Sequence, residues 1–166
     1  MFKLSPRRAA VSLGVLAVVA TAAVLLAASS GAAPGSVPLH GKMLNIANFG
    51  GPGCPSPTGV CSSFTAIGSI QGEGLVSVDT FPTPEPISIS RAHTVITTDK
   101  GELRCSEAAI FDLAGSDHAF VDLCVISGGT GAYEGASGYI QEVGTFDFAA
   151  NRGELEYYGK LVYGTG

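Results

Sequence analysis

The sequence predicts an all-β domain, an antiparallel barrel of seven or eight strands behind an N-terminal export segment. Beyond residue 63, short runs rich in Val, Ile, Thr, Phe and Tyr alternate with turn-forming segments. Several runs alternate apolar and polar residues, and none shows the 3.6-residue period of an amphipathic helix. Closing such a meander into a barrel removes its exposed edges, whereas a two-sheet sandwich is the alternative.

The predicted strands are separated by segments with a recognisable turn chemistry, such as FPTPEP, DKG and AANRG. Residues 33–63 are rich in Pro and Gly and are predicted to form an irregular N-terminal arm, with at most one short strand in VPLHGKMLNIANF. The barrel domain is expected to span residues 64–166. Its strands are predicted at Phe64–Ile70, Gly74–Thr80, Ile87–Thr98, Glu102–Leu113, His118–Ser127, Tyr139–Phe148 and Glu154–Tyr163.

The first 32 residues have the pattern of a secretory signal peptide. Lys3, Arg7 and Arg8 precede an uncharged apolar run, and Ser30-Gly31-Ala32 satisfies the small-x-small rule for cleavage. An uncleaved anchor is the alternative, because about twenty apolar residues can span a bilayer. We expect a protein that is secreted or held in a periplasm-like envelope space, with no membrane contact after cleavage.

Removal of this segment makes the protein strongly acidic. Six basic side chains remain against fourteen acidic ones, which gives a net charge of −8. Such a surface repels nucleic acid and anionic lipid. No Lys/Arg run survives in the exported part. Nucleic acid is therefore excluded as an expected partner.

The four cysteines all lie in the exported part, where an even count predicts two disulfides. Three pairings are possible, and spacing favours Cys54–Cys61 and Cys105–Cys124. The first would close the short loop CPSPTGVC. The second would join neighbouring strands of a hairpin whose turn is LAGS, since pairing residue 112 with 117 places Cys105 directly opposite Cys124.

A zinc site is the alternative use of these cysteines. It would need two CxxC-like pairs or suitably placed histidines, and His40, His93 and His118 do not have that spacing. We therefore expect neither a metal nor another cofactor.

The stretch GGTGAYEGASGY invites comparison with phosphate-binding loops. A dinucleotide fingerprint requires glycine where Glu134 stands, and a long helix where the strand-like YIQEVGTFDF follows. A P-loop would end in GK[ST], which is absent. The stretch is better explained as a structural turn, formed by Gly128, Gly129, Thr130, Gly131, Tyr133, Gly135, Ala136 and Gly138.

The longer segment ISGGTGAYEGASGYI resembles the GGTG-x-[YF]-x-G-A-x-G turn of the allene oxide cyclase-like and dirigent-like barrel proteins. The resemblance extends from Gly72 to the C-terminus, with GEL opening a strand upstream and YYGKLVYG closing the chain. It implies an eight-stranded antiparallel β-barrel with an apolar central cavity, in which the glycine motif is a structural turn. Members of this group cyclise a reactive fatty-acid epoxide or steer the coupling of phenoxy radicals. The early strands do not align, so no catalytic residue is carried over.

The candidate catalytic residues are the polar side chains on predicted early strands, namely Glu73, Arg91 and His93. Arg91 and His93 share one face of their strand with isoleucines and a valine. If that face points inward, an acidic residue across the lumen would complete a general acid–base pair. The alternative is that both side chains face water. Asp122 is expected to face solvent.

Three functions from different classes remain open. The barrel could bind a small apolar molecule, act as an isomerase, cyclase or stereo-directing protein on a reactive apolar intermediate, or be a filled, ligand-free interaction module. The orientation of strand Ile87–Thr98 separates the first two. Arg91 and His93 pointing inward would favour catalysis, whereas Ser88, Ala92 and Ile96 pointing inward would favour binding. The oligomeric state is left open.

Overall fold

The computed structural model describes residues 35–80, 86–114 and 118–164 of the chain. The predicted signal segment and most of the FPTPEP separator lie outside the described residues. Eight strands form a closed antiparallel barrel in which each strand pairs with the next and the last pairs with the first. No helix among the described residues is long and apolar enough to cross a membrane. The predicted all-β, eight-stranded antiparallel barrel is confirmed.

The strands follow one another around the barrel in sequence order. Because this is a simple meander, odd-numbered strands all begin at one end of the barrel and even-numbered strands begin at the other. The strands are β1 (Ser36–Phe49), β2 (Val60–Gly68), β3 (Gly72–Thr80), β4 (Ile87–Thr98), β5 (Gly101–Asp112), β6 (Ala119–Gly129), β7 (Ser137–Asp147) and β8 (Arg152–Val162).

One half of the barrel interior is filled by packed apolar side chains. This half contains the β2–β3, β4–β5 and β6–β7 connections, and we call it the closed end. Burying these side chains supplies the main favourable term in folding. The core here includes Leu39, Met43, Ile70, Ile96, Leu103, Ile126, Tyr133, Ile140, Tyr157 and Leu161.

Tyr157 ties β8 to the β2–β3 connection inside this core. Its side chain is fully buried, and its hydroxyl accepts a hydrogen bond from the Ile70 N–H (2.9 Å) and donates one to the Ile70 carbonyl (3.3 Å). A Cβ at Gly41 would lie 2.6 Å from the tyrosine ring. Glycine at position 41 therefore makes the room that this ring occupies.

The glycine stretch forms the β6–β7 connection at the closed end. A single 3₁₀ turn, Gly131–Tyr133, lies between the two strands. The Thr130 N–H donates to the Glu102 carbonyl (2.8 Å) and the Ala132 N–H to the Lys100 carbonyl (2.9 Å), so the turn is bonded to β5 and its preceding turn. Gly131 has φ +59°, and a Cβ there would lie 2.4 Å from the Lys100 carbonyl oxygen. Its backbone conformation and its packing both require glycine.

The segment predicted as an irregular N-terminal arm contains the longest strand, β1, which covers 14 residues. The prediction of an irregular arm is therefore wrong for residues 36–49, although the Cys54–Cys61 loop follows as expected. β1 pairs with both β2 and β8 and closes the barrel. The prolines and glycines concealed it, since Pro38 lacks an N–H and Gly41 occupies an inward position that would otherwise carry an apolar side chain.

Both predicted disulfides are present, but the predicted register of the β5–β6 hairpin is wrong by two residues. Cys105 pairs with Ile126 across the ladder, and Cys124 pairs with Glu107. The Cys105–Cys124 bridge therefore joins diagonal neighbours, whose Cα atoms are 5.6 Å apart, within disulfide reach. The predicted register assumed that the LAGS turn alone joins β5 and β6. The error arises because the connection between these strands is longer. A shift of two residues preserves which side chains face inward.

Candidate functional site

The other half of the barrel interior holds a cavity of about 100 Å³. Phe49 and Phe148 line it and are also 62% and 42% exposed, so the cavity reaches the surface at what we call the open end. The Cys54–Cys61 loop connects β1 to β2 at this end. Most of the cavity wall is apolar. It includes Ala47, Phe49, Val60, Val76, Val78, Ala92, Ala109, Phe111, Phe120, Phe146, Phe148 and Leu155.

Three acidic side chains form a polar patch on one wall of this cavity. Glu107, Asp122 and Glu142 lie on the adjacent strands β5, β6 and β7, and we call them the acidic trio. Asp122 pairs directly with Glu142 across the β6–β7 ladder. One carboxylate oxygen from each residue lies within 4.8 Å of the other two. The exposed fraction is only 8% for Glu107, 2% for Asp122 and 5% for Glu142.

Strand alternation explains why these acids point inward. Glu107 follows the buried Cys105 by two residues, and Asp122 precedes the buried Cys124 by two residues. Successive side chains of a strand face opposite sides, so residues two apart share a face. The Cys105–Cys124 bridge lies inside the barrel, next to the trio. It holds together the inward faces of β5 and β6.

Burial determines the protonation of the trio. Desolvation raises the pKa of Glu107 to about 7. It raises the pKa of Glu142 to about 8, with a further contribution from the Glu107 charge. Asp122 is affected most, because desolvation and the charges of Glu107 and Glu142 together raise its pKa to about 9. Near neutral pH Asp122 and Glu142 therefore hold their protons, whereas Glu107 is partly ionised.

Two buried acceptors in the cavity lack a hydrogen-bond partner among the described residues: Asn45 Oδ1 and Asp122 Oδ1. Asn45 lies on β1, which is separated from β7 only by β8 in the closed barrel. Its Nδ2 donates a long hydrogen bond of 3.5 Å to Ser62 Oγ. Buried polar atoms normally have a hydrogen-bond partner. An acceptor without one in a cavity wall indicates a position where a bound ligand can donate a hydrogen bond.

The trio also has the separation of a three-carboxylate metal site. Hard cations such as Mg²⁺ and Ca²⁺ require six or more oxygen ligands, and the surrounding wall is mostly apolar. The sulfur atoms of Cys105 and Cys124 also lie close to Glu107, but they are joined in a disulfide and are not thiolate ligands. Any metal in this cavity would have to be held by the trio and by ligands from solvent.

The predicted catalytic candidates lie on the outside of the barrel. Glu73 accepts a hydrogen bond from Thr65 Oγ1 (3.0 Å), His93 pairs with Asp79, and Arg91 is exposed. On the same strand, Ser88, Ala92 and Ile96 are buried inside. The structure therefore brings none of Glu73, Arg91 and His93 to the cavity.

The expectation that Asp122 faces solvent is wrong. The outward face of β6 carries Val121, Leu123 and Val125, which are between 42% and 51% exposed, while Asp122 and Cys124 point inward. The apolar row on the outside made the inward row look like the solvent face. Glu107 and Glu142 were not predicted either, although Glu107 lies two residues from Cys105 and Asp122 two residues from Cys124.

These features define a closed, disulfide-braced β-barrel with a small apolar cavity and an internal acidic patch. No family model matches the chain. No curated protein matches it either. A solved structure, that of the pterocarpan synthase dirigent protein PsPTS1, is similar over 80% of this chain and 97% of its own, with 16% sequence identity and a TM-score of 0.32. A likeness of this degree carries no information about activity.

Proposed function

We propose that the protein binds a small, mostly apolar molecule in the cavity at the open end of its barrel. The observation that supports this most strongly is the contrast between the two halves of the interior, one densely packed and the other a surface-reaching cavity of about 100 Å³. An apolar cavity of roughly 150 Å³ is enough to hold a benzene molecule. The cavity here is smaller but opens to the surface, so the enclosed part of the ligand is expected to be no larger than one ring.

The inward face of β4 supports binding over the predicted acid–base chemistry. Ser88, Ser90 and Ala92 present small side chains to the interior, while Arg91 and His93 point away from it. The polar contacts that orient a ligand would come from the acidic trio and Asn45. Ligand sites of this kind typically combine an apolar wall with a few converging polar groups.

Toluene is a suitable probe, observed through amide chemical shifts in a ¹H–¹⁵N NMR titration. We expect shifts confined to residues around the cavity. Ala109→Leu fills the cavity from its wall and should abolish them, whereas Ala108→Leu, its exposed neighbour on the same strand, is the matched control. Absence of shifts in the wild-type protein at toluene saturation would overturn the proposal and favour a ligand-free module.

A second candidate function is isomerisation of a single small substrate. It is favoured by buried carboxylic acids whose pKa lies near the working pH, the condition for efficient general acid–base catalysis. The cavity size suits one ring better than two coupled rings, which argues against radical coupling inside it.

Deuterium exchange at the α-carbon of cyclohexanone in D₂O tests this second candidate. We expect the wild-type protein to accelerate exchange about a hundredfold over Asp122→Asn. Equal rates for the two proteins would eliminate this candidate and leave the binding proposal standing.

A further inference from the structure

The acidic trio has no basic partner in the cavity. Among the described residues that line it, none is Lys, Arg or His. From outside the barrel, the electrostatic effect of His93 on β4 acts against the raised pKa of Glu107. Buried acidic groups are normally matched by a cation or kept neutral, because an unpaired buried charge is costly. Any cation that pairs with the trio therefore has to come from outside the protein.

The orphan acceptors Asn45 Oδ1 and Asp122 Oδ1 indicate what such a ligand would present. Both belong to residues more than nine-tenths buried, and both residues line the cavity. Acceptors without partners call for N–H or O–H donors. Carboxylates and amide oxygens together suit an ammonium group, which offers three donors and no acceptor.

The aromatic residues of the cavity point to the rest of the ligand. Five phenylalanines line it, at positions 49, 111, 120, 146 and 148. Aromatic faces attract cations as well as apolar groups, with a strength of about 0.5–2 kcal/mol per contact. A metal ion would make no use of these rings.

We propose that the natural ligand is a small primary amine with an apolar body, held with its ammonium group against Glu107, Asp122 and Glu142 and its body among the phenylalanines. This inference rests on the proposed binding function and specifies its ligand class. The net charge of −8 on residues 33–166 would also attract cations towards the protein.

Binding of the ammonium form has a consequence for protons. The free trio is largely neutral, and a bound ammonium stabilises one ionised carboxylate beside it. Near neutral pH, where the amine is already protonated in solution, binding therefore releases up to one proton from the trio to the buffer. From β4, Thr94 and the titratable His93 both act against the raised pKa of Glu107. Leu155 of β8 and Asn45 of β1 line the same cavity and have no titratable group.

Benzylamine, benzyl alcohol and toluene share one ring and differ in the group attached to it. Isothermal titration calorimetry of each ligand, in phosphate and in HEPES, separates affinity from proton release. We expect benzylamine to bind at least about tenfold more tightly than benzyl alcohol, and to release a proton that the alcohol does not. Asp122→Asn should reduce this preference severalfold without changing toluene binding.

Glu134→Gln, an exposed acid on the β6–β7 connection, is the matched control and should leave the preference unchanged. Thermal melts verify that each variant is folded. Equal affinities for the amine and the alcohol would overturn the amine inference while leaving apolar binding intact. Failure of all three ligands to bind the wild-type protein would overturn the proposed function itself.

Discussion

Asp122 of β6 lies directly opposite Glu142 of β7, and both carboxyl groups point into the barrel. Like charges at opposed positions of a sheet are destabilising even on a wet surface. Here the two groups are also desolvated, so their joint ionisation is opposed by burial and by repulsion. The pair stays together because at least one proton is retained, which links the fold to pH.

The first prediction is that the protein loses stability as the pH rises. The folded-state pKa values of the trio, about 7, 9 and 8, lie above those of unfolded Asp and Glu. Raised values mean that the stabilising contribution is complete below about pH 4 and is lost as pH rises through the folded values. Urea denaturation between about pH 4 and pH 9 should show the free energy of unfolding falling by several kcal/mol in total.

Glu142→Gln provides the control for this pH dependence. It removes one titrating group while keeping the shape of the side chain, so the slope of stability against pH should become shallower. Glu134→Gln, on the exposed β6–β7 connection, should keep the wild-type slope. A slope that is the same in all three proteins would show that the trio is not its source.

The second prediction concerns the two disulfides. Replacing Cys105 and Cys124 by Ala should lower the free energy of unfolding by about 3 kcal/mol, because the bridge closes the longer loop of the two. Replacing Cys54 and Cys61, which are seven residues apart, should cost less. Chemical denaturation of both double variants checks the order, and a larger loss from the shorter loop would contradict it.

The third prediction separates backbone strain from steric clash in the glycine turn. Gly131 and Gly135 both have positive φ, +59° and +66°. A Cβ at position 131 would lie 2.4 Å from the Lys100 carbonyl oxygen, whereas at 135 its nearest neighbour is 3.5 Å away. Gly135→Ala should cost about 1 kcal/mol and Gly131→Ala clearly more. Equal losses in melting temperature would mean that the turn relaxes around the new methyl group.

The fourth prediction tests the buried hydroxyl of Tyr157. Phenylalanine at this position would leave the Ile70 N–H and carbonyl without their partner, at a cost of about 1–3 kcal/mol. Tyr158→Phe is the matched control, because that neighbouring ring is 55% exposed, and it should be nearly neutral. A neutral Tyr157→Phe would show that water replaces the hydroxyl.

Most of the fold could be predicted from local pattern. Turn chemistry marked the strands beyond residue 63, and cysteine spacing gave both bridges. β1 was not predicted as a full strand because Gly41 and Pro38 break its pattern, although Gly41 is needed by the Tyr157 ring from the far end of the chain. A contact between residues that are far apart in the sequence cannot be seen in the local pattern of either segment.

The site was harder to predict than the fold. Hydrophobic alternation identifies the buried face only when the outside of the strand is polar. On β6 the outward Val121, Leu123 and Val125 are apolar, so the pattern favoured the wrong face. The inward face could have been found from Cys124, because a disulfide between neighbouring strands of a small barrel places the residues two positions away on its own side.

The proposed ligand site requires an acidic trio that is desolvated inside an accessible cavity. The most direct measurement is a ¹³C NMR titration of the Asp and Glu carboxyl carbons, assigned with Glu107→Gln, Asp122→Asn and Glu142→Gln. We predict three carboxyl groups that titrate well above the ordinary range of about pH 4, with Asp122 the highest. Three groups that titrate near pH 4, as exposed carboxylates do, would contradict a buried trio and with it the proposed ligand site.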